Sequence, residues 1–240
     1  MQPVHRKLIL TLLTVLVFPL CFDPNEAEET GSKHFVLVHG AWCWYKAATL
    51  LRSSGHNPLR DVMEGLSPCM SKRYPKKFAV AVFFSALMPG PVLNVTTVNA
   101  ESWRRAGSLE DSSYIYDNGP NTPPTAYTLG PMLLASRVYQ LSPIQDWTLA
   151  NMLMRPQRLF SDEDLTREIT LSERNYGSVR RVAVISEDDK LIEKDFMLWM
   201  IERNPPDQVL EVKGSDHMVM MSKPAQLLAL LQHIANATHI

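Results

Sequence analysis

The 240-residue chain has few of the residues that mark metal-binding, disulfide-rich or nucleic-acid-binding proteins. Its three cysteines show no Cys-x-x-Cys pair and no Cys/His spacing of a zinc site, and they could supply one disulfide at most. The seven histidines are scattered as well, so we expect neither a metal nor a cofactor. A net charge of −1 provides no basic field to attract nucleic acid.

Long apolar runs are also scarce, and the one that stands out is N-terminal. Arg6 and Lys7 precede Leu8–Phe22, which is 15 residues long and uncharged, and four carboxylates follow within 23–30. The run is shorter than the ~20 residues of a membrane span but suits the apolar core of a signal peptide. We therefore predict that residues 1–30 are a signal peptide and linker, without a stable membrane span, and that the protein is secreted. Because no clear cleavage site follows, an uncleaved anchor, a mis-assigned start and a cytoplasmic location are the alternatives.

The rest of the chain, 31–240, has the composition of one globular domain, with 45% apolar and 20% charged residues. Short β-rich apolar runs alternate with helical periodicities, which is typical of an α/β protein with a parallel sheet. The predicted strands are 34–38, 78–85, 181–185 and 209–212. The predicted helices include 46–54, 59–66, one around 196–203, and 224–236. Residues 91–130 are polar and show few periodic signals.

Three groups of candidate site residues follow predicted strands. His39-Gly40-Ala41 comes after the first strand, where a turn of small residues could aim a backbone N–H at an oxyanion, although an ordinary strand-ending turn has the same pattern. Asp189 follows the 181–185 strand and His217 follows the 209–212 strand. Each alone fits a solvated loop. Together they give the order Asp then His at neighbouring strand ends, which completes a Ser-Asp-His triad in α/β-hydrolases.

Several longer motifs make a family resemblance specific. They extend from Lys33 to the C-terminus. The interval of 28 residues from Asp189 to His217 also matches the acid-to-base interval of the family that these motifs resemble. The chain resembles the plant methylesterase and hydroxynitrile lyase family of the α/β-hydrolase superfamily. The motifs are KHFVLVHGAW, CWYK, AVAVFFSALMPGP, LASRVYQLSP, MLMRPQRLF, YGSVRRVAVISEDDK and VKGSDHMVMMSKP.

The resemblance implies an α/β-hydrolase fold with a helical cap at 91–173 over a small apolar pocket. It implies Asp189 as the acid of the triad, His217 as its base, and the N–H of Ala41 as half of an oxyanion hole. The family hydrolyses methyl esters such as methyl jasmonate, methyl salicylate and methyl indole-3-acetate. The implied partner is therefore a small ester or hormone acid.

The chain departs from this family at the nucleophile. No G-x-S-x-G motif occurs anywhere in the sequence, although this motif presents the serine of such enzymes on a strand-to-helix turn. Family chains place a strand, the elbow and a helix between segments like Met63–Leu66 and Arg73–Pro75, which here lie six residues apart. A second gap is expected after His56. We therefore predict a central sheet shortened by internal deletions.

The sequence thus predicts an inactive methylesterase relative. Three alternatives remain open: a non-catalytic binder of a hormone acid or ester, a residual esterase with a substitute nucleophile, and the product of a mis-spliced or degraded gene. The lyase branch of the family uses the same serine. The candidates for a substitute nucleophile are Ser67, Cys69, Ser71 and Ser85.

Overall fold

The structure is a computed structural model that describes residues 14–18, 34–38, 44–61 and 79–237. A six-stranded sheet forms its centre, with the order β3-β2-β1-β4-β8-β9. Five of these strands run in one direction, and β1 runs antiparallel to both of its neighbours. The strands are β1 Thr14–Phe18, β2 His34–Val38, β3 Asn57–Asp61, β4 Val80–Phe84, β8 Arg180–Ser186 and β9 Gln208–Val212.

The central strands β4 and β8 are apolar because both faces of the sheet are covered. All five residues of β4, VAVFF, are buried, and so are the last five residues of β8. A continuous apolar run of this length is what a parallel strand needs between two layers of helices. The α/β-hydrolase-type fold class predicted from the sequence is confirmed by this sheet and by the solved structures described below.

Helices from both ends of the chain cover this sheet. The helices are α1 Tyr45–Ser53, α6 Lys194–Arg203, α7 Val219–Ser222 and α8 Pro224–Asn236. α1 packs against α8, and the stripe Leu227, Leu231 and Ile234 of α8 is fully buried. The sequence periodicity had placed this last helix at the observed residues, 224–236.

A long segment lies between β4 and β8, and we call residues 95–178 the insertion. Its three short strands form a separate antiparallel sheet in the order β5-β6-β7. The insertion occupies the region where a helical cap is predicted, and the cap boundaries 91–173 stay a prediction. Its elements are α2 Val95–Ala106, β5 Ser113–Ile115, β6 Ala126–Thr128, α3 Pro131–Leu133, a π-helical turn Leu134–Val138, α4 Ile144–Leu153, β7 Gln157–Arg158, α5 Asp162–Glu168 and a 3₁₀ turn Tyr176–Ser178.

The structure corrects one prediction near the expected deletions. Residues 57–61 form the strand β3, parallel to β2 and in register from His34↔Asn57 to Val38↔Asp61, whereas the helical spacing of Leu59, Val62, Met63 and Leu66 predicted a helix there. A strand therefore follows His56, at the point where the sequence predicts a second gap. Cross-strand hydrogen bonds to β2 outweigh a short helical period.

The described residues also bear on the predictions of a signal peptide and of no membrane span. Its helices include none that is both long and apolar enough to cross a membrane. Residues 14–18, which belong to the predicted signal peptide, form the strand β1 between β2 and β4. The prediction of secretion itself stays a prediction.

Candidate functional site

The candidate site lies where the adjacent parallel strands β8 and β9 end. Asp189 comes three residues after Ser186, the last residue of β8, and His217 comes five residues after Val212, the last residue of β9. Ser186 and Val212 are partners in the register of these strands, so the two loops leave the sheet side by side. The structure therefore brings the predicted acid and base together, with His217 Nδ1 2.8 Å from Asp189 Oδ2.

Backbone amides fix the carboxylate of Asp189. Its Oδ1 accepts hydrogen bonds from the N–H groups of Leu191 and Ile192, at 2.8 and 2.9 Å. The other oxygen, Oδ2, faces His217. Because Asp189 is only 4% exposed, water does not compete strongly for these oxygens. The carboxylate consequently has one orientation, with Oδ2 directed at the imidazole.

The imidazole of His217 is held for acid–base chemistry. An ionised carboxylate only accepts hydrogen bonds, so Nδ1 of His217 donates to Asp189 and leaves Nε2 free to take or give a proton. Burial, the largest influence, lowers the pKa of His217. The negative charge and hydrogen bond of Asp189, with the charge of Asp216, outweigh burial and hold this pKa above its ordinary value. The imidazole therefore holds its proton more tightly than a free histidine does.

The loops that carry the two residues brace each other. The N–H of Asp188 donates to the carbonyl of Ser215 at 3.0 Å, and the N–H of Gly214 donates to Glu187 Oε2 at 3.0 Å. Gly214 has a φ of +63°, which a side chain at this position would strain. The distance between acid and base is thus fixed by backbone contacts as well as by their own hydrogen bond.

Asp216 is a site residue that the sequence analysis missed. It is fully buried, and its oxygens accept hydrogen bonds from the N–H groups of Leu141 and Met218 and from the hydroxyl of Ser142, at 2.8–3.0 Å. Its position immediately before His217 was the available signal. The partners in the insertion lie 74 and 75 residues away along the chain, so local sequence patterns do not indicate them.

Among the described residues, one candidate for a substitute nucleophile can be placed. Ser85 follows β4, is fully buried, and has a φ of 39°. Its Oγ accepts a hydrogen bond from the N–H of Ser186 at 3.2 Å, and the hydrogen bonds of the described residues do not join it to His217. The hydroxyl oxygen of Ser85 therefore contacts the backbone of β8 and, among the described hydrogen bonds, does not contact His217.

The other predicted residues lie outside the described part of the chain. Ala41, the oxyanion-hole candidate, is among them, as are Ser67, Cys69 and Ser71. A partial elbow motif also lies in this part of the sequence. Gly65-Leu66-Ser67-Pro68-Cys69 matches G-x-S-x-G at every position except the last glycine, so Ser67 is the first residue to test if any esterase activity is found.

Acid–base chemistry is what the described part of the site can perform. The contact between Asp189 and His217 has the geometry of the acid and base of a triad, and it leaves Nε2 of His217 as the atom that could exchange a proton. The described residues contain no group of three or more His, Cys, Asp or Glu side chains that could hold a metal ion. Among the described residues, the side-chain hydrogen bond of His217 goes to Asp189 and to no serine or cysteine.

Comparison with known proteins gives a consistent family. The chain is 41% identical to methyl jasmonate esterase 1 of Vitis vinifera over 258 residues, which covers 87% of this chain and 99% of that protein. It is 33% identical to salicylic acid-binding protein 2 of Nicotiana tabacum over 254 residues, covering 85% and 97% of the two chains. No family model matches the chain.

The fold has a counterpart among solved structures. A point mutant of tomato methylketone synthase I superposes with a TM-score of 0.81 at 40% sequence identity, covering 87% of this chain and all of that one. Structures of the same tomato protein were solved with bound 2-tridecanone and, as a histidine-to-alanine variant, with bound β-ketoheptanoate.

The extent of the alignment shows that residues are missing inside this chain. The match to the grapevine esterase spans 258 positions, whereas 87% of the 240 residues here is about 209, so about 50 aligned positions have no residue in this chain. Because 99% of the grapevine protein is matched, these positions lie within the relative. The separation of only six residues between Met63–Leu66 and Arg73–Pro75 predicts such a shortened chain.

Proposed function

Because the chain belongs to the plant methylesterase family of α/β-hydrolases, we propose that it has kept the acid–base pair of these enzymes and lost esterase activity. The observation that carries this proposal is the absence of a G-x-S-x-G motif from the sequence. In a serine esterase the hydroxyl attacks the ester carbonyl while the His removes its proton. Without that hydroxyl no acyl-enzyme forms, and turnover falls by about 10⁶-fold in proteins that lose such a residue.

The sheet supports the same proposal. An elbow needs a strand whose carboxyl end enters a helix at the edge where Asp189 and His217 lie. The central position between β2 and β4 is occupied by β1, which is antiparallel to both. This strand presents its amino end at that edge. The position between β2 and β4 therefore offers no carboxyl end from which an elbow could face His217.

The ligand class follows from the relatives. One is named for methyl jasmonate and another for salicylic acid. We therefore expect a small hormone ester, or the acid formed from it, to be the molecule that this site meets. Saturable binding of methyl jasmonate or salicylate without turnover would place the chain among non-catalytic binders.

Hydrolysis of a p-nitrophenyl acyl ester by the full chain tests the central proposal, after circular dichroism has confirmed folding. The comparison includes His217→Ala and, as a matched control, His233→Ala, which changes an exposed histidine of α8. We expect none of the three proteins to hydrolyse the ester faster than buffer alone does. Turnover by the wild type and His233→Ala that is lost in His217→Ala would overturn the proposal, and Ser67→Ala would then test the substitute nucleophile.

A second candidate function is decarboxylation of a β-keto acid. The tomato methylketone synthase I structure with β-ketoheptanoate favours it, because a β-keto acid loses CO₂ without any nucleophile. The C–C bond electrons pass to the ketone as an enolate, and a proton donor completes the methyl ketone. The raised pKa of His217 supports it as the donor of that proton in this candidate reaction.

Incubation with β-ketoheptanoate and chromatography of the methyl ketone test this candidate. It predicts that the full chain forms 2-hexanone faster than buffer, and that His217→Ala abolishes the excess while His233→Ala retains it. Equal rates in buffer, wild type and His217→Ala would remove decarboxylation from consideration and leave the proposal of a non-catalytic relative in place.

A further inference from the structure

We propose that Asp216 is a positioning residue that fastens the insertion over the Asp189–His217 pair, and that Asp146 secures the same segment from its other end. The segment concerned is residues 139–146, which joins the π-helical turn to α4; we call it the clasp. This inference goes beyond the proposed function and does not depend on whether the chain hydrolyses esters, because it concerns how the insertion is attached to the core.

Asp216 holds the first half of the clasp. Its Oδ2 accepts the N–H of Leu141 at 3.0 Å and the hydroxyl of Ser142 at 2.8 Å. Its Oδ1 accepts the N–H of Met218 at 3.0 Å, which ties the same carboxylate to the residue after His217. One buried side chain therefore joins the insertion to the loop that carries the base.

Gln140 adds a second attachment next to the acid. Its Nε2 donates to the carbonyl of Asp188 at 2.6 Å, and Asp188 directly precedes Asp189. Three consecutive residues of the clasp, Gln140 to Ser142, thus bind both loops of the acid–base pair. His217 is 3% exposed under this arrangement.

Asp146 holds the far end of the clasp to the core. It lies in the first turn of α4 and its side chain is 1% exposed. One carboxylate oxygen accepts the hydroxyl of Tyr45 at 2.9 Å, and the other pairs with the ammonium of Lys46. Both partners belong to the first turn of α1, a core helix. Burial, followed by the hydrogen bond and charge of Asp146, raises the pKa of the Tyr45 hydroxyl, which keeps it protonated as a donor.

The two buried carboxylates, Asp216 and Asp146, favour one closed position of the insertion. A buried carboxylate is costly unless each oxygen has donors, and hydrogen bonds to a charged group contribute more than neutral ones. Opening the insertion would leave Asp216 without two of its donors and Asp146 without its cation. The closed position is consequently stabilised by residues that do not react themselves.

Hydrogen–deuterium exchange of the full chain tests the proposal, with the wild type, Asp216→Asn, Ser142→Ala and Glu202→Gln compared. Glu202→Gln is the matched control, because this carboxylate is 74% exposed and pairs with Arg203 of its own helix, outside the insertion. We expect Asp216→Asn to speed exchange in peptides covering 139–153 by about tenfold or more, as loss of a charge-assisted hydrogen bond predicts. Ser142→Ala should give a smaller increase in exchange and Glu202→Gln none.

Two readouts separate positioning from general support of the fold. In Asp216→Asn, labelling of His217 by diethyl pyrocarbonate should become faster, and the pKa of His217 should fall because one of the charges that raise it is gone. In Ser142→Ala labelling should also rise, whereas this pKa should stay unchanged. If Asp216→Asn fails to fold, Ser142→Ala still tests the proposal, because Ser142 is only half-buried.

Two outcomes would overturn the proposal. One is unchanged exchange at 139–153 in both Asp216→Asn and Ser142→Ala. The other is an increase in Asp216→Asn that is equal in α8, β8 and the clasp, with no selective gain in labelling of His217. That pattern would show that Asp216 supports the whole fold and does not hold the insertion closed.

Discussion

At the scale of single residues, the strand-end positions of Asp189 and His217 were predictable, and the contacts that hold them were not. Both residues follow apolar runs, and parallel strands end at one edge of a sheet, so their proximity follows from the sequence pattern. The role of Asp216 depends on hydrogen bonds to Leu141 and Ser142, across 75 and 74 residues of chain. Such a partnership arises only when the insertion has folded back onto the sheet.

The raised pKa of His217 predicts a pH dependence of stability. Relative to the ordinary value of 6.5, the folded protein holds the proton more tightly, so the stabilisation from the charged pair is fully present below pH 6.5. It is lost as the pH rises through the higher folded-state pKa. We expect the free energy of unfolding of the wild type to exceed that of His217→Gln most at pH 6, and this difference to shrink above the folded pKa.

Urea denaturation between pH 6 and 9 measures this difference. His233→Gln is the matched control, since it changes an exposed histidine of α8, and it should not reproduce the pH-dependent difference. A gap between the wild type and His217→Gln that widens with rising pH would contradict the assigned direction of the pKa shift.

At the scale of elements, predictions succeeded where one apolar stripe or one apolar run dominates. The α8 stripe of Leu227, Leu231 and Ile234 and the buried run of β4 were both identified from sequence. The helix α2 was missed because its buried face includes the polar residues Asn99 and Ser102, which interrupt the apolar period. β3 was mistaken for a helix because its strand pairing with β2 is a tertiary contact.

The start of α2 gives a prediction about a missed element. Asn94 is its N-cap, and the side-chain Oδ1 accepts the N–H of Thr97 at 2.8 Å. Asn94→Ala should lower the free energy of unfolding by about 1 kcal/mol, and Asn94→Ser, which retains an acceptor, should lose much less. Thermal denaturation followed by circular dichroism compares the three proteins. Equal losses in both variants would show that the cap does not stabilise α2.

The last helix allows a test of its buried stripe. Leu231 is fully buried in the main core, whereas Met152 of α4 is 73% exposed. Leu231→Ala should cost about 2–5 kcal/mol of stability because it leaves a cavity. Met152→Ala should change stability by about 0.5 kcal/mol or less. Chemical denaturation of both variants checks this, and a loss below about 1 kcal/mol in Leu231→Ala would contradict the assigned packing.

At the scale of the whole molecule, the family and the fold class were predictable, because the motifs extend over most of the chain and the relatives match 85–87% of it. The set of strands that make up the central sheet was not predictable from the sequence. β1 comes from the apolar run that was interpreted as a signal peptide, and it lies between β2 and β4. A run of this kind satisfies two physical descriptions, a leader that enters a membrane channel and a strand buried in a sheet.

The position of β1 predicts that the sheet depends on it. β1 pairs with five residues of β2 and four of β4, and without it β3-β2 and β4-β8-β9 would be two separate pieces with unpaired edges. Unpaired strand edges favour aggregation. We expect a chain of residues 31–240 to aggregate or to lose cooperative unfolding, and the full chain to remain monodisperse in size-exclusion chromatography.

A proline in β1 tests the same dependence without shortening the chain. Leu16 pairs with Val36 on one side and Ala81 on the other, and proline there removes a backbone donor from the centre of the sheet. Leu16→Pro should destabilise the protein strongly, while Leu16→Val, which keeps the donor, should not. If 31–240 and Leu16→Pro instead unfold as cooperatively as the full chain, the segment does not support the domain. Cleavage as a leader would then be compatible with folding.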